Sequence, residues 1–465
     1  KVQTRGLPFM LLPLSDLHIG CQPAGGFVFY KINGTVKKIE DCKKGDKIDN
    51  DIEIKNIFKR KINSFLYDVK VMGLPPMSFT DNHPILIIRG KYRKNDSRKR
   101  FFIKNLKLEN QQWIRVDELK KGDFVFYPKL KLKEKKVIID VSQFFSNKDK
   151  SFFKHKKVKE LYNKNIVGEK AALLLGISKF TINSIQRTIK NKTSLIFFNK
   201  EIKNKVILNK ELSYVFGVYL AEGYTNKYAL MFCLNTKEEE LAKKIKDILI
   251  KNFNLNDNCY KIKKRKKNSL ILNIYNTTLR NLFNFYFGKG ALNKKIPSFI
   301  YETTEENIIS FFKGYLEGDG AFYNNFKQPT KRLSITTISS NIAYGLQYLL
   351  SGIGVYVKIQ LSIPKKNSFG YNEQPRYSIS IYRQEDIKKL NYITNKNSIR
   401  GKTHYETSDF FILPILNIKK RRFNGFVYNL ETDKHLYYTP FIVHNSSGVD
   451  YQALQKHLDF IKRNP

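Results

Sequence analysis

Cysteine is scarce in this sequence: four stand in 465 residues, at Cys21, Cys42, Cys233 and Cys259. They form no CxxC pair and no Cys/His cluster at zinc spacing, which excludes a zinc module of the ordinary kinds. A disulfide framework is not expected at this length. Any cysteine with a chemical role therefore acts as a lone thiol. Long apolar runs are also missing. No stretch approaches the roughly 18 residues that a membrane-spanning helix requires, and the mean hydropathy is −0.43. Residues 7–14 are apolar but too short to span, and they lack the small-residue cleavage site of a signal peptide. No membrane partner and a cytoplasmic location are the expectations. Acidic residues are few, 41 against 84 Lys and Arg, for a formal net charge of +43. An excess of that size attracts polyanions, nucleic acid first among them, although an AT-rich genome also enriches Lys and Asn.

What is present is enough apolar surface for packed cores, 42% hydrophobic and 14% aromatic residues. The length exceeds what one core usually organises, so several domains are expected. The two ends differ from the Lys/Asn-rich interior. Residues 7–14 read as a buried strand followed at once by Asp16 and His18, a pair that suits a metal. Residues 446–465 lead into an amphipathic helix with apolar Leu454, Leu458, Phe460 and Ile461. Joined directly, the ends make a strand, a ligand loop and a helix, so the interior reads as an insertion. Cys21 opens it, and His444, Asn445 and Ser446 close it.

Those residue types suit exchange of peptide bonds. The Cys21 thiol can attack the carbonyl of Gly20 to form a thioester, and Ser446 is a hydroxyl that can take over the acyl group. The Asn445 amide can cyclise onto its own carbonyl, with His444 acting on the leaving amine. Further runs support this: GTVKKIEDCKKGD at 34–46, FTDNHPIL at 79–86, WIRVDELKKGD at 113–123, GFVYNLE at 425–431, then His435 and FIVHN at 441–445. In this order they resemble the blocks of an intein of the Hint superfamily over residues 21–445. The resemblance implies an all-β, horseshoe-like splicing fold, no cofactor for splicing, and roles for Thr80 and His83 at the first scissile amide. It also implies roles for His435 and His444 near the second. Asn429 stands where the family often has Asp, and residues 22–26 lack the family's usual polar turn.

A repeat lies inside. VFGVYLAEG at 215–223 and FKGYLEGDG at 312–320 share an apolar helix pattern with an early glycine and a terminal acid. The acids, Glu222 and Asp319, are 97 positions apart, and each copy is followed by a strand run and a second helix, near 237–251 and 341–352. Gly217 and Gly314 would let the two helices touch, bringing the acids together. Paired carboxylates are costly without a cation, and Mg²⁺ is a fitting one. This region resembles the two-motif LAGLIDADG (DOD-type) homing endonucleases, which implies pseudo-twofold symmetry, double-stranded DNA as substrate and Mg²⁺ for cleavage. KKIP at 294–297 matches a block that carries a basic residue, with Lys295 favoured. Residues 167–183 resemble a helix-turn-helix turning at Gly176, with Ser178 as cap and Lys179, Asn183 and Gln186 toward DNA.

The expected architecture is α+β and multidomain. A Hint splicing domain, 21–130 and 401–445, is split around a basic linker with the helix-turn-helix at 131–205 and an α/β endonuclease at 206–400. Fragments of a host flank it at 1–20 and 446–465. Asp16 and His18 resemble the first metal motif of calcineurin-like metallophosphoesterases, among them the small subunit of archaeal-type DNA polymerase. That implies a divalent metal for the host protein. The expected partners are double-stranded DNA of the uninterrupted allele and the flanking polypeptide, with the chain itself a monomer. Three alternatives stand beside this reading: a basic helix-turn-helix regulator, a hedgehog-type autoprocessing domain, and a splicing element with a decayed nuclease.

Overall fold

Helices arise here where apolar residues recur every three or four positions, and asparagine, abundant in the chain, starts several of them. The computed structural model describes residues 20–92, 101–103, 106–133, 135–190, 202–265, 268–323, 332–363, 374–392 and 404–444. The strand expected at 7–14, Asp16, His18, Asn445, Ser446 and the helix expected after 446 lie outside these residues. The chain divides into two units, Leu132–Ala321 and Lys1–Lys131 with Phe322–Pro465. Among the described residues, no helix is long and apolar enough to cross a membrane.

In the unit Leu132–Ala321 the helices are α1 (Asn147–Asn163), α2 (Gly168–Leu175), α3 (Lys179–Lys190), α4 (Lys210–Glu222), α5 (Glu239–Phe253), α6 (Thr277–Phe287) and α7 (Glu305–Asp319). Within residues 131–205, expected as a basic linker with a helix-turn-helix, the described part holds three helices. The helices α1–α3 bury Val158, Ala171, Ile182 and Ile185 in a core of their own. The strands Ile138–Asp140 and Lys205–Ile207 pair and fasten the two ends of this excursion together. Asn209 caps α4 by accepting from the Leu212 N–H at 2.8 Å, and Asn276 caps α6 in the same way. Asn235 and Glu238 form a capping box ahead of α5.

α4 and α7 pack side by side, and their glycines explain how. A Cβ added at Gly217 would fall on the carbonyl oxygen of Phe311, and one at Gly314 on that of Tyr214. Only hydrogen at both positions allows the backbones this approach. After α4 come strands Gly223–Thr225 and Leu230–Asn235, α5, then strands Tyr260–Arg265 and Ser269–Ile274. After α7 come strands Gly320–Tyr323 and Arg332–Thr337, helix Ser340–Gly352, then strands Lys358–Ser362 and Arg376–Ile381. In both copies the strands pair in the order first, second, fourth, third, so the repeat read from the sequence is a structural one.

The other unit is built on a long antiparallel ribbon. The strands Ile52–Val71 and Phe410–Thr432 run side by side from the Ile54–Thr432 pair to the Val71–Ile415 pair. Strands Gln22–Pro23 and Met77–Thr80 flank the ribbon on opposite sides. Strands Pro84–Ile88, Gln111–Arg115, Phe124–Pro128 and Ile442–His444 belong to the same sheet. This unit also holds most of the second repeat copy, from Phe322 onward. Helix Ser340–Gly352 stacks Tyr344 and Tyr348 edge-on against Phe27 and Phe29, at 5.7 and 5.0 Å between ring centroids. Asn341 Oδ1 accepts from the Val36 N–H at 2.9 Å. The Tyr356 hydroxyl donates to the Met72 carbonyl at 2.6 Å, and the Ile359 N–H to that of Gly73 at 2.8 Å. Packing between segments about 300 positions apart thus decides the division.

Candidate functional site

Two constellations form, one in each unit. The first surrounds the peptide between Gly20 and Cys21. The strand Gln22–Pro23 aligns Gln22 with Tyr428 and Pro23 with Val427, which sets Cys21 against the long ribbon. Cys21 is buried and packs with Leu66 and Val427. Its N–H donates to Thr80 Oγ1 at 2.8 Å, and its carbonyl accepts from the Thr80 N–H at 2.9 Å. Gly20 lies so close to His83 that a side chain there would run into the histidine backbone and ring. His83 is fully buried, stacked at 4.9 Å on Phe79, with Tyr437 edge-on at 6.2 Å. Gln22 Nε2 donates to the Tyr437 hydroxyl at 3.0 Å. The segment 79–83 therefore brings together the three groups expected at this amide: Cys21, Thr80 and His83.

Burial raises the Cys21 thiol pKa, and the Arg60 guanidinium works against that rise. Arg60 pairs across the ribbon with Val427, which in turn faces Pro23, so it shares the Cys21 side of the sheet. Sequence reasoning missed it, because nothing local in the strand Ile52–Val71 links position 60 to position 21. Asn429 is buried on this same side. Its Oδ1 accepts from the Leu430 N–H at 2.8 Å and its Nδ2 has no partner. Burial pushes His83 down to about 4, with the Gly20 backbone acting in the opposite direction. The imidazole is thus neutral at pH 7.

That shift has a consequence for stability. An unfolded chain takes up the proton below the ordinary value of 6.5, whereas the folded one waits until about 4. The contribution is complete above pH 6.5 and is lost as pH falls toward 4, by about 3 kcal/mol. Urea unfolding at pH 7 and at pH 4.5 should read this loss, and His83→Gln should remove it. An unchanged pH slope in His83→Gln would contradict the assignment.

The other residues expected here are placed less directly. The strand Ile442–His444 pairs Val443 with Ile85, so its His444 end lies at the Pro84 end of the neighbouring strand, beside His83. His435 does not enter a strand. It is exposed in the turn before Leu436, with a left-handed φ of 55°. From that block, Tyr437 is the side chain that meets the His83 ring.

The second constellation sits where α4 and α7 end. A Cβ added at Gly318 would fall on the Ala221 side chain and press on that of Glu222, so the two helix ends pack closely. Glu222 has its pKa raised by burial and by the charge of Asp319, against the pull of Lys294. Asp319 is raised by desolvation, against Lys294 and the Tyr315 hydroxyl. Lys294 donates from Nζ to the carbonyls of Tyr219, Leu220 and Ala221 at 3.2, 2.8 and 3.3 Å. It binds the negative pole of α4 as a cation should. Burial lowers it to about 8, with Asp319 and Glu222 opposing. The basic residue beside the acids is therefore Lys294 and not the favoured Lys295. The Lys295 backbone N–H donates to the Phe287 carbonyl at 2.9 Å. Among the described residues no three His, Cys, Asp or Glu side chains gather as a metal cluster. The two raised carboxyls are a donor set short of positive charge, which fits a hard cation completed by oxygens from elsewhere.

The helix pair α2–α3 turns at Gly176, whose φ is 63°, and Ser178 Oγ accepts from the Thr181 N–H at 3.3 Å, as expected. Asn183 is exposed, and Lys179 is exposed with Nζ 3.2 Å from Glu169. Gln186 turns inward instead, its Oε1 accepting from the Gly168 N–H at 3.4 Å, so it does not face outward as expected.

Comparison with known proteins adds the following. Residues 209–288 and 306–394 match the model of a LAGLIDADG-like domain, one stretch for each copy of the repeat. The ATP-dependent DNA helicase Hel308 of Thermococcus kodakarensis is 23% identical over 436 residues, covering 90% of this chain and 36% of the helicase. A DNA polymerase of Thermococcus aggregans is 24% identical over 275 residues, covering 50% of this chain and 14% of the polymerase. The chain thus spans well under half the length of either. A structure of the homing endonuclease I-DmoI overlaps 39% of this chain and 93% of its own, at 15% identity and a TM-score of 0.29.

Proposed function

We propose that the chain is a self-splicing insertion that also carries a DNA endonuclease. It excises residues 21–445 and joins Gly20 to Ser446. The observation that carries this reading is the double clamp of Thr80 on Cys21, with His83 against Gly20. Such an arrangement holds one amide rigidly between a thiol, a hydroxyl and an imidazole. Cys21 Sγ attacks the Gly20 carbonyl carbon, the C–N bond breaks, and the thiol proton passes to the released amine through His83. The Ser446 hydroxyl then displaces the thiol from the thioester. Asn445 Nδ2 attacks its own carbonyl, breaking the bond to Ser446, and an O-to-N shift leaves an ordinary peptide bond. The relatives support the insertion reading. A helicase matches 90% of this chain and a polymerase 50% of it, each as a minor part of a much longer protein, which suits an element that moves between hosts.

In the second activity Glu222 and Asp319 would hold Mg²⁺, and the ion would activate water and neutralise charge on the leaving oxygen of a phosphodiester. Lys294 keeps the helix ends together and adds positive charge beside the cut. Double-stranded DNA of the uninterrupted allele is the substrate, and the exposed Lys179 and Asn183 extend the contact. The flanking residues 1–20 and 446–465, with Asp16 and His18, belong on this reading to a metallophosphoesterase host. An intact mass spectrum of the purified chain under reducing conditions is the test: an excised product and a joined flank are expected. Finding only the full-length chain would reject splicing.

A further inference from the structure

The two faces of the long ribbon differ in kind. One carries Arg60, Val427 and Asn429 toward Cys21. The other presents five consecutive rungs: Lys59 with Tyr428, Lys61 with Phe426, Asn63 with Asn424, Phe65 with Arg422, and Tyr67 with Lys420. Four of the five rungs join a cation to an aromatic ring, and the central one joins two asparagines. No rung holds an acid. Lys59 Nζ lies 4.3 Å from the Phe426 ring centroid, and Lys420 Nζ 4.4 Å from that of Phe65. Phe65 and Phe426 remain 39% and 46% exposed, and Lys59, Lys61, Lys420 and Arg422 are exposed too.

An exposed ribbon of this length could hold its aromatic rings with any cross-strand neighbours. Four cations on five rungs, with no acid among them, create a positive stripe whose self-repulsion needs an anionic partner. The rungs run about 27 Å along the strands, and a two-stranded ribbon fits the major groove of a duplex. Asparagine pairs well with adenine edges there, while flanking cations suit phosphates. We infer that this face of the ribbon binds duplex DNA, with Lys59, Lys61, Lys420 and Arg422 on the phosphates and Asn63 and Asn424 toward the base edges. The interaction needs neither splicing nor cleavage, so its failure would leave those readings untouched.

The test uses the full chain with Glu222→Gln to prevent cutting, and a mixed-sequence duplex of about one and a half times the ribbon's length. One variant replaces Lys59, Lys61, Lys420 and Arg422 by serine. A control replaces four exposed lysines elsewhere in the same unit, Lys38, Lys43, Lys44 and Lys47. Unchanged circular dichroism and melting temperature establish that each variant is folded; if the ribbon variant is not, the pair Lys59→Ser and Lys420→Ser replaces it. The ribbon variant should bind on the order of 100-fold more weakly at 0.1 M salt, and its log–log salt slope should fall by about 3. The control should do neither. Equal losses in both variants would reduce the effect to net charge and overturn the inference. So would an unchanged affinity, or a loss confined to single-stranded DNA.

Discussion

Cys21→Ala should yield only full-length chain, with no product separated at the Gly20–Cys21 bond even under strong thiol treatment. The loss is total because the clamp's acyl acceptor is the Cys21 thiol, and a neutral hydroxyl is a far weaker nucleophile. Thr80 Oγ1 already accepts from the Cys21 N–H. A methyl group in place of the thiol fits the same pocket against Leu66 and Val427, so the fold should survive. Asn445→Ala should behave differently. The thioester still forms, and added thiol releases residues 1–20, while the second cut disappears. The readout is intact mass after incubation with and without thiol. Release of residues 1–20 from the Cys21→Ala chain would sink the stepwise scheme. So would equal loss of both events in the two variants.

Glu222→Gln or Asp319→Asn should abolish double-strand cutting of DNA carrying the joined host sequence, by at least about 1,000-fold. A cation between the carboxylates contributes several kcal/mol to such a reaction, and each 1.36 kcal/mol is tenfold. The amide keeps the shape and removes one of two mutually repelling charges. DNA binding should persist, and the melting temperature should hold or rise. That combination separates a lost reaction from a lost fold. The assay is Mg²⁺-dependent linearisation of a plasmid bearing the uninterrupted site, beside one bearing the interrupted gene. Full cutting by either variant would remove these carboxylates from the reaction, and equal cutting of both plasmids would reject homing.

How much of this was legible depended on how local the signal is. Gly217, Gly314 and the terminal acids were readable because a helix contact needs small residues at a fixed spacing, and that spacing repeats. Thr80 and His83 were readable as a short run with fixed neighbours. The choice between Lys294 and Lys295 was not. Both precede Pro297 in irregular chain, where no periodicity says which side chain reaches the carbonyls of α4. Arg60 reaches Cys21 only through strand register set by chain 367 positions away at Val427. Gln186 turned inward because the crossing of α2 and α3 decides its direction, which the pattern of 167–183 leaves open. The helix Asn147–Asn163, ahead of the expected helix-turn-helix, was not legible because its lysines mask the apolar side that packs with α2 and α3.

The docking of helix Ser340–Gly352 onto Phe27 and Phe29 constrains how such an element can age. A chain that still spliced but no longer cut would gain nothing from its nuclease and could shed it. Here, clean excision of 206–400 would uncover Phe29, which is fully buried, and would strip partners from the Val36 N–H and the Met72 and Gly73 carbonyls. On the proposed reading, the part of the second repeat copy from Ser340 to Ile359 would also cover the splicing fold. Decay can therefore erase Glu222 or Asp319 at little structural cost, while Tyr344, Tyr348 and Tyr356 are held in place by a duty unrelated to DNA. A disarmed lineage would keep the shell of its nuclease and lose only the edge.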